Sequence, residues 1–382
     1  MVSARTDFSK YKFLLVEPVA KTPYPPLGLL KISSMLRNKY KGCKIFTQIG
    51  NFILKGLDSP RKIFITSLFT WDWKILINVI NFYKWTFPNS EIIVGGISAS
   101  LLSKEIHDHT GVKLHIGLYN EAELYPPDYS LTFGRKNNVS ITFTTRGCIN
   151  ECKFCNVKDL EPDFFVKDNW EKDIMEEFPR IILWDNNFLA SPNFERDCAK
   201  LSSFNKKVDF NQGLDARLLN EERAKKLFKI DLDPIRLAFD DIKYEKSILR
   251  AIKLAKKYSN KEIMVYVLYN FEDTPEDLYY RINLLNKEGI YSFPMEYRAP
   301  SKNINKIPGL HWNTFLLRAF KLSLLFYYRK GMITRSRKSF QSIYGRNEKE
   351  FVSRLYEIYE YDKSLKRRQE KKSSSLGGKK NE

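Results

Sequence analysis

The chain has 382 residues, of which 43% are hydrophobic and 14% aromatic, so it can build sizeable cores in two or three domains. Its longest apolar stretch, residues 315–328, is too short to span a membrane and contains Arg318 and Lys321, so no membrane partner is expected. A net charge of +19 suits either a polyanionic partner or a solvated lysine surface. Five cysteines, without a recognisable signal peptide, predict reduced thiols and a cytoplasmic location.

The first third of the chain alternates short apolar runs with helical patterns. This alternation predicts a parallel sheet, whose ligands would bind outside the carboxyl ends of the strands. Gly95, Gly96, Ser98 and Ser100 follow one such strand, where they either line a ligand crevice or simply form the turn. The predicted strands are 12–17, 43–49, 62–69 and 91–96, with 112–117 compatible with a fifth, and the predicted helices are 27–37 and 73–87.

A cysteine-rich stretch at residues 144–156 carries the densest chemical signal. Cys148, Cys152 and Cys155 have the spacing C-x3-C-x2-C, and Phe154 precedes the third cysteine. Cysteine thiolates ligate iron–sulfur clusters, and three of them leave one iron of a four-iron cluster open to a substrate or cofactor. A structural zinc site would need a remote fourth ligand, such as Cys43, Cys198 or one of the four histidines.

A second series of alternating strands and helices follows the cysteines. Polar residues come directly after several of its strands, at the end where barrel-type sites collect. Asp185 to Asn187 suit either an ammonium ligand or a turn, and Asp215 with Arg217 suits either a ligand or an internal ion pair. The predicted strands are 139–145, 180–184, 208–213, 234–239, 263–269 and 293–298, and the predicted helices are 169–178, 221–228, 246–257 and one capped by Thr274.

The cysteine stretch resembles the loop of radical S-adenosylmethionine (SAM) enzymes, whose motif is C-x3-C-x-aromatic-C. The resemblance implies a partial (β/α)6 barrel and a 4Fe-4S cluster on the three cysteines, which would cleave SAM reductively to a deoxyadenosyl radical. It also implies a reductant protein of the flavodoxin or ferredoxin type. By the same resemblance, the expected SAM contacts are Phe154 near the adenine, Asp185, Asn186 and Asn187 at the amino group, Gln212 at SAM or substrate, Asp240 at the ribose and Asn270 at the strand-five edge.

Residues 10–125 resemble the cobalamin-binding-like, Rossmann-like domain that precedes this barrel in one branch of the family. The resemblance rests on Pro25-Pro26-Leu27-Gly28, on Val94-Gly95-Gly96 and on the loop from Gly117 to Glu121. The usual D-x-H-x-x-G motif is absent, because residues 47–52 contain neither Asp nor His. The domain therefore either binds cobalamin base-off, without a histidine ligand, or has kept the fold without the cofactor.

These features predict an α/β chain with four regions: a cobalamin-binding-like domain at 1–125, a radical SAM partial barrel at 126–300, a helical region at 301–362, and a basic disordered tail at 363–382 that could bind nucleic acid. Helices are expected at 312–330 and 348–361. The expected function is a radical SAM enzyme, either a cobalamin-dependent methyltransferase or a cobalamin-free enzyme acting on a nucleotide, peptide or metabolite. A zinc or nucleic-acid-binding protein is the distant alternative.

Overall fold

A computed structural model describes residues 10–300, 309–328 and 331–377; for residue 366 and residues 368–377 it describes the backbone alone. The predicted α/β class is confirmed, because parallel sheets alternate with helices along the chain. The described residues form two compact units. The first runs to Asn193 and includes Ala299 and Pro300, and the second comprises Phe194–Arg298 and the described residues from Gly309 onward.

A four-stranded parallel sheet, in the order β2-β1-β3-β4, opens the first unit. Its central strands are continuous apolar runs, as expected for strands covered on both faces. The strands are β1 (Lys12–Glu17), β2 (Lys44–Ile49), β3 (Lys62–Thr66) and β4 (Glu91–Gly95). The helices are α1 (Leu27–Lys39), α2 (Trp73–Thr86), α3 (Ile97–Leu101), α4 (Ser103–Thr110) and α5 (Asn120–Glu123). The segment compatible with a fifth strand contributes one bridge, between Leu114 and Val94.

The two faces of this sheet pack into separate cores, because successive side chains of a strand point to opposite sides. Leu14 and Val16 join the core beneath α2 and α4, whereas Phe13 and Leu15 join the core beneath α1. All four side chains are fully buried. Each such burial stabilises the fold by roughly 1.5–3 kcal/mol, which explains why strand positions could be predicted from the apolar runs.

The rest of the first unit surrounds the cysteine stretch. Strand β5 (Val139–Thr142) pairs in parallel with β8 (Arg180–Leu183), and β6 (Thr145–Arg146) pairs antiparallel with β7 (Phe165–Val166). The cysteine loop, residues 147–164, connects β6 to β7 and contains the short helix α6 (Val157–Leu160).

The prediction of a helix at 169–178 was wrong. Only one turn of 3-10 helix forms, at Trp170–Asp173, and Ile174 is already extended. The side chain of Asp173 accepts a hydrogen bond from Thr142 of β5, so tertiary contacts hold this segment in a tight turn.

A parallel sheet in the order β10-β11-β12 forms the centre of the second unit. Thr274 caps α10 with a capping box completed by Asp277, as predicted from the Thr-Pro-Glu-Asp sequence. The strands are β9 (Lys207–Phe210), β10 (Ile235–Ala238), β11 (Ile263–Tyr269) and β12 (Tyr291–Glu296). The helices are α7 (Phe194–Ser203), α8 (Glu221–Leu227), α9 (Glu245–Tyr258) and α10 (Pro275–Lys287).

Three helices complete the second unit: α11 (Thr314–Tyr327), α12 (Arg337–Tyr344) and α13 (Glu348–Gly377). They pack through an aromatic cluster that includes Phe320, Tyr344 and Phe351. Helix α13 extends into the segment from residue 363 that was expected to be disordered. Residues 363–376 contain neither Gly nor Pro and are mostly good helix formers, which explains the continuation. Residues 378–382 lie outside the described part.

None of the helices in the described parts of the chain combines the length and the hydropathy that a bilayer crossing requires.

Candidate functional site

The three motif cysteines lie on the single loop between β6 and β7. Cys148 is buried, Cys152 is half-buried and Cys155 is exposed, and none of the three forms a disulfide. The backbone N–H of Cys155 donates to the carbonyl of Cys152 at 2.9 Å, so these two cysteines share one tight turn. The other two cysteines are buried elsewhere: Cys43 lies in the core that faces α1, and Cys198 lies in α7. Phe154 is half-buried within the loop.

Gly147, directly before the first cysteine, can only be glycine. Its φ of +71° lies in the left-handed region, and a Cβ built on it would lie 2.1 Å from the carbonyl oxygen of Asp163. The two ends of the loop therefore pass each other at backbone contact distance. This close approach requires glycine at position 147.

Asp185 holds the chain that leads into this loop. Its buried carboxylate accepts from the backbone N–H and the hydroxyl of both Thr144 and Thr145, at 2.5–3.1 Å. Burial raises the pKa of Asp185, and the hydrogen bonds from the two threonines oppose that rise. The residue predicted to receive the amino group of SAM thus contacts the protein's own backbone.

The two asparagines after Asp185 reach the loop itself. The side-chain amide of Asn187 donates to Sγ of Cys148 at 3.8 Å, and that of Asn186 donates to Glu161 at 3.4 Å. Asn150 also donates to the sulfur of Cys148, from its backbone N–H at 3.4 Å and its side-chain amide at 3.7 Å. Hydrogen bonds to a cysteine sulfur tune a metal or cluster that it ligates.

A buried charge network lies behind β5, at the base of the loop. Asp173 accepts from Thr142 at 2.8 Å and forms ion pairs with Lys167 and Lys31, while Lys31 also pairs with Glu123 at 2.8 Å. Burial lowers the pKa of Lys167, and Asp173 opposes that change. Although burial acts to raise it, the pKa of Glu123 is lowered overall by Lys31 and the other cations nearby.

The donor set of the loop fits an iron–sulfur cluster, because it offers three thiols outside any disulfide and amide donors to one of the sulfurs. The thiols have not converged: within the described residues, no three His, Cys, Asp or Glu side chains are grouped closely enough to hold a metal ion.

In the second unit, two of the predicted residues follow strands near buried charges. Gln212 is exposed, whereas Asp240 is half-buried just after β10. Burial raises the pKa of Asp240 to about 6, and the cation of Arg281 opposes the rise. The buried Arg281 donates to the carbonyl of Phe239 at 3.0 Å and to Asp273 at 2.9 Å. Arg281 was missed by sequence analysis, since nothing in a helical arginine signals burial.

Asn270 is occupied by backbone partners. Its side-chain amide donates to the carbonyl of Tyr297 at 3.1 Å, and its oxygen accepts from the N–H of Gly309. Its φ of +68° is one that asparagine tolerates better than most residues. The ion pair between Asp215 and Arg217, one of the two alternatives for these residues, is formed at 2.7 Å.

Glu161 is the principal site residue that the sequence analysis missed. Its carboxylate accepts from Gly147 and pairs with Arg146, although it comes six positions after the last cysteine of the motif. Its place between an isolated short helix and Pro162 carried no recognisable signal.

Comparison with protein-family models finds no match, and neither does comparison with curated proteins.

Proposed function

We propose that this protein is a radical SAM enzyme, in which Cys148, Cys152 and Cys155 hold a 4Fe-4S cluster. In this proposal, β1 to β4 form a Rossmann-like, cobalamin-binding-like sheet. The strands β5 and β8 to β12 belong to a partial (β/α)6 barrel, and α11 to α13 extend it. When bound, the cluster would supply the electron that cleaves SAM to methionine and a deoxyadenosyl radical.

One observation carries the proposal: three cysteine thiols lie on one glycine-dependent loop, and two asparagines donate to the sulfur of the first. A structural zinc site would need a fourth ligand, whereas the loop offers three cysteines and no histidine. The amide donors also suit a thiolate whose cluster must accept and release an electron.

The contacts of Asp185 favour a positioning role. Four donors from Thr144 and Thr145 already surround its carboxylate, so binding the amino group of SAM would compete with them. Asp185 would fix the backbone that leads to Cys148. Asn186 and Asn187, whose side chains reach the cysteine loop, would then bind the amino group of SAM.

Within the second unit, Asp240, Asn270 and Gln212 remain the candidates for SAM contacts. Asp240 is half-buried after β10, and its carboxylate could accept from both ribose hydroxyls. Asn270 would contribute its backbone at the edge of the strand, since its side chain is bonded to Tyr297 and Gly309. Gln212 is exposed and so can reach a ligand.

Metal content tests the proposal. Anaerobically reconstituted protein should be brown and should contain iron and sulfide, and the variants Cys148→Ala, Cys152→Ala and Cys155→Ala should each lose both. The matched controls are Cys43→Ala and Cys198→Ala, which remove thiols outside the loop and should retain the cluster. With a strong reductant, the wild type should release deoxyadenosine from SAM. Zinc in place of iron would favour the alternative of a zinc protein.

A further inference from the structure

Glu161 connects the two ends of the cysteine loop. One oxygen of its carboxylate accepts from the guanidinium of Arg146, just before the loop. The other accepts from the backbone N–H of Gly147 at 2.8 Å and from the side-chain amide of Asn186 at 3.4 Å. The side chain of Glu161, near the end of the loop, therefore bonds Arg146 and Asn186 outside the loop and Gly147 at its start.

Arg146 is held firmly on its other side. The centre of its guanidinium lies 3.8 Å from the ring centroid of Phe143, at stacking distance. The side chains of Arg146 and Glu161 are 8% and 14% exposed, so water screens their attraction little. If either partner is removed, the other is left as a buried, unpaired charge.

We propose that Arg146 and Glu161 are positioning residues that form a clasp, closing the cysteine loop before any cluster binds. None of the groups in the clasp is a cysteine: they are Arg146, Gly147, Glu161 and Asn186. The clasp therefore needs no metal to form. By fixing the ends of the loop, it lowers the entropy that the three thiols lose when they converge on a cluster. Only the identity of that cluster rests on the proposed function.

Limited trypsin digestion of the metal-free protein tests the clasp directly, because Lys153 is exposed within the loop and Lys158 is half-buried there. Glu161→Gln keeps an acceptor for Gly147 but loses the charge opposite Arg146, and Glu161→Ala loses both. We expect cleavage at these lysines to be about tenfold faster in Glu161→Ala than in the wild type, with Glu161→Gln in between. If Glu161→Ala does not fold, the near-isosteric Glu161→Gln carries the comparison.

The chain offers a matched control in the same unit. Glu17 and Arg135 form an ion pair with side chains 13% and 9% exposed, almost the same burial as the clasp. Glu17→Gln likewise leaves a buried arginine without its charged partner, yet should leave cleavage within the loop unchanged. If Glu17→Gln and Glu161→Gln accelerate cleavage equally, the loss is one of general stability and the clasp is refuted.

A second measurement separates the clasp from the proposed function. After anaerobic reconstitution, Glu161→Gln should release iron to a chelator severalfold faster than Glu17→Gln, since its loop opens more often. Equal release rates from these two variants would overturn the clasp while leaving the iron–sulfur proposal intact. Faster cleavage of the loop in Glu161→Gln, in a protein that takes up no iron, would support the clasp and refute the iron–sulfur proposal.

Discussion

At the scale of single residues, Gly147 shows how backbone geometry dictates a motif position. The glycine is needed for two reasons: a φ of +71° and the carbonyl of Asp163 where a Cβ would lie. Gly134 has nearly the same conformation, with a φ of +70°, but nothing lies within 4 Å of its Cβ position. Comparing substitutions at these two glycines therefore distinguishes the cost of the left-handed conformation from the cost of steric overlap.

We predict that Gly147→Ala is far more harmful than Gly134→Ala. The left-handed conformation costs both variants roughly 1–2 kcal/mol. Overlap with Asp163 adds about 1–3 kcal/mol at residue 147 alone. The free energy of unfolding, measured in urea, should fall by this larger sum in Gly147→Ala, and iron binding after reconstitution should be lost. Equal destabilisation of the two variants would show that the loop relaxes around the added methyl group.

Asp240 and Asp241 are neighbours with opposite electrostatic behaviour. Burial raises the pKa of Asp240 to about 6. By contrast, although burial acts to raise it, the hydrogen bond and charge of Lys243 lower the pKa of the more exposed Asp241 overall. A raised carboxyl pKa means that the folded chain binds a proton more tightly than the unfolded chain does. Stability from this group is therefore lost as the pH rises from about 4 to about 6.

We predict that Asp240→Asn stabilises the protein at pH 7 by at most about 3 kcal/mol, since each pKa unit corresponds to 1.36 kcal/mol. The gain should shrink as the pH falls from about 6 to about 4, because wild-type Asp240 is then protonated. Urea unfolding at a series of pH values measures it. Asp241→Asn is the control of opposite sign: it should destabilise at pH 7, and the loss should fade in acid. A gain from Asp240→Asn that does not change with pH would contradict the assignment.

At the scale of elements, strands were predicted well because burial on both faces gives them continuous apolar runs. Strands β1 and β11 have the predicted bounds, and the other strands shift by a few residues at most. Helix α7 was not predicted, although Phe194, Cys198 and Leu201 are buried at helical spacing. Conversely, the helix predicted at 169–178 failed because Asp173 bonds to Thr142, 31 positions earlier in the chain.

The candidate site was predictable only in part, for the same physical reason. The spacing of the three cysteines is local, so it can be read directly from the sequence. The bonds from Thr144 and Thr145 to Asp185 span about 40 residues, and no local pattern announces them. The sequence therefore showed that Asp185 is a polar residue at the end of a strand. Its hydrogen-bond partners could be identified only in the folded chain.

At the scale of the whole molecule, one edge of the four-stranded sheet in the first unit lies close to the cysteine loop. Helix α3, which begins at the carboxyl end of β4, contacts α6 of the cysteine loop, and Gly117 approaches the carbonyl of Leu160. A ligand bound at this edge of the sheet would lie beside the cysteine loop, within the same unit. This arrangement suits the proposal that a cofactor such as cobalamin works together with the proposed cluster.

The histidines of this unit each make one contact with the backbone. Each of the three has one ring nitrogen within hydrogen-bond distance of a backbone carbonyl: His107 with Val112 at 3.0 Å, His109 with Glu105 at 2.7 Å and His115 with Leu118 at 2.9 Å. His115 also packs against Tyr119, with ring centroids 4.7 Å apart. A backbone carbonyl on one ring nitrogen is also what a metal-ligating histidine usually has, so the prediction rests on the missing D-x-H-x-x-G motif.

Because residues 47–52 contain neither Asp nor His, we predict that any cobalamin taken up by the anaerobic protein binds base-off, without a histidine ligand. In the cobalt(II) state, its electron paramagnetic resonance spectrum should lack nitrogen superhyperfine splitting from an axial imidazole. His115→Ala, which removes the ring nearest the carboxyl end of β4, should leave that spectrum unchanged. Clear nitrogen splitting that disappears in His115→Ala would overturn the prediction. If no cobalamin is taken up while SAM is still cleaved, the sheet serves a cobalamin-free enzyme, because the proposed cluster would be held by the cysteine loop and not by the sheet.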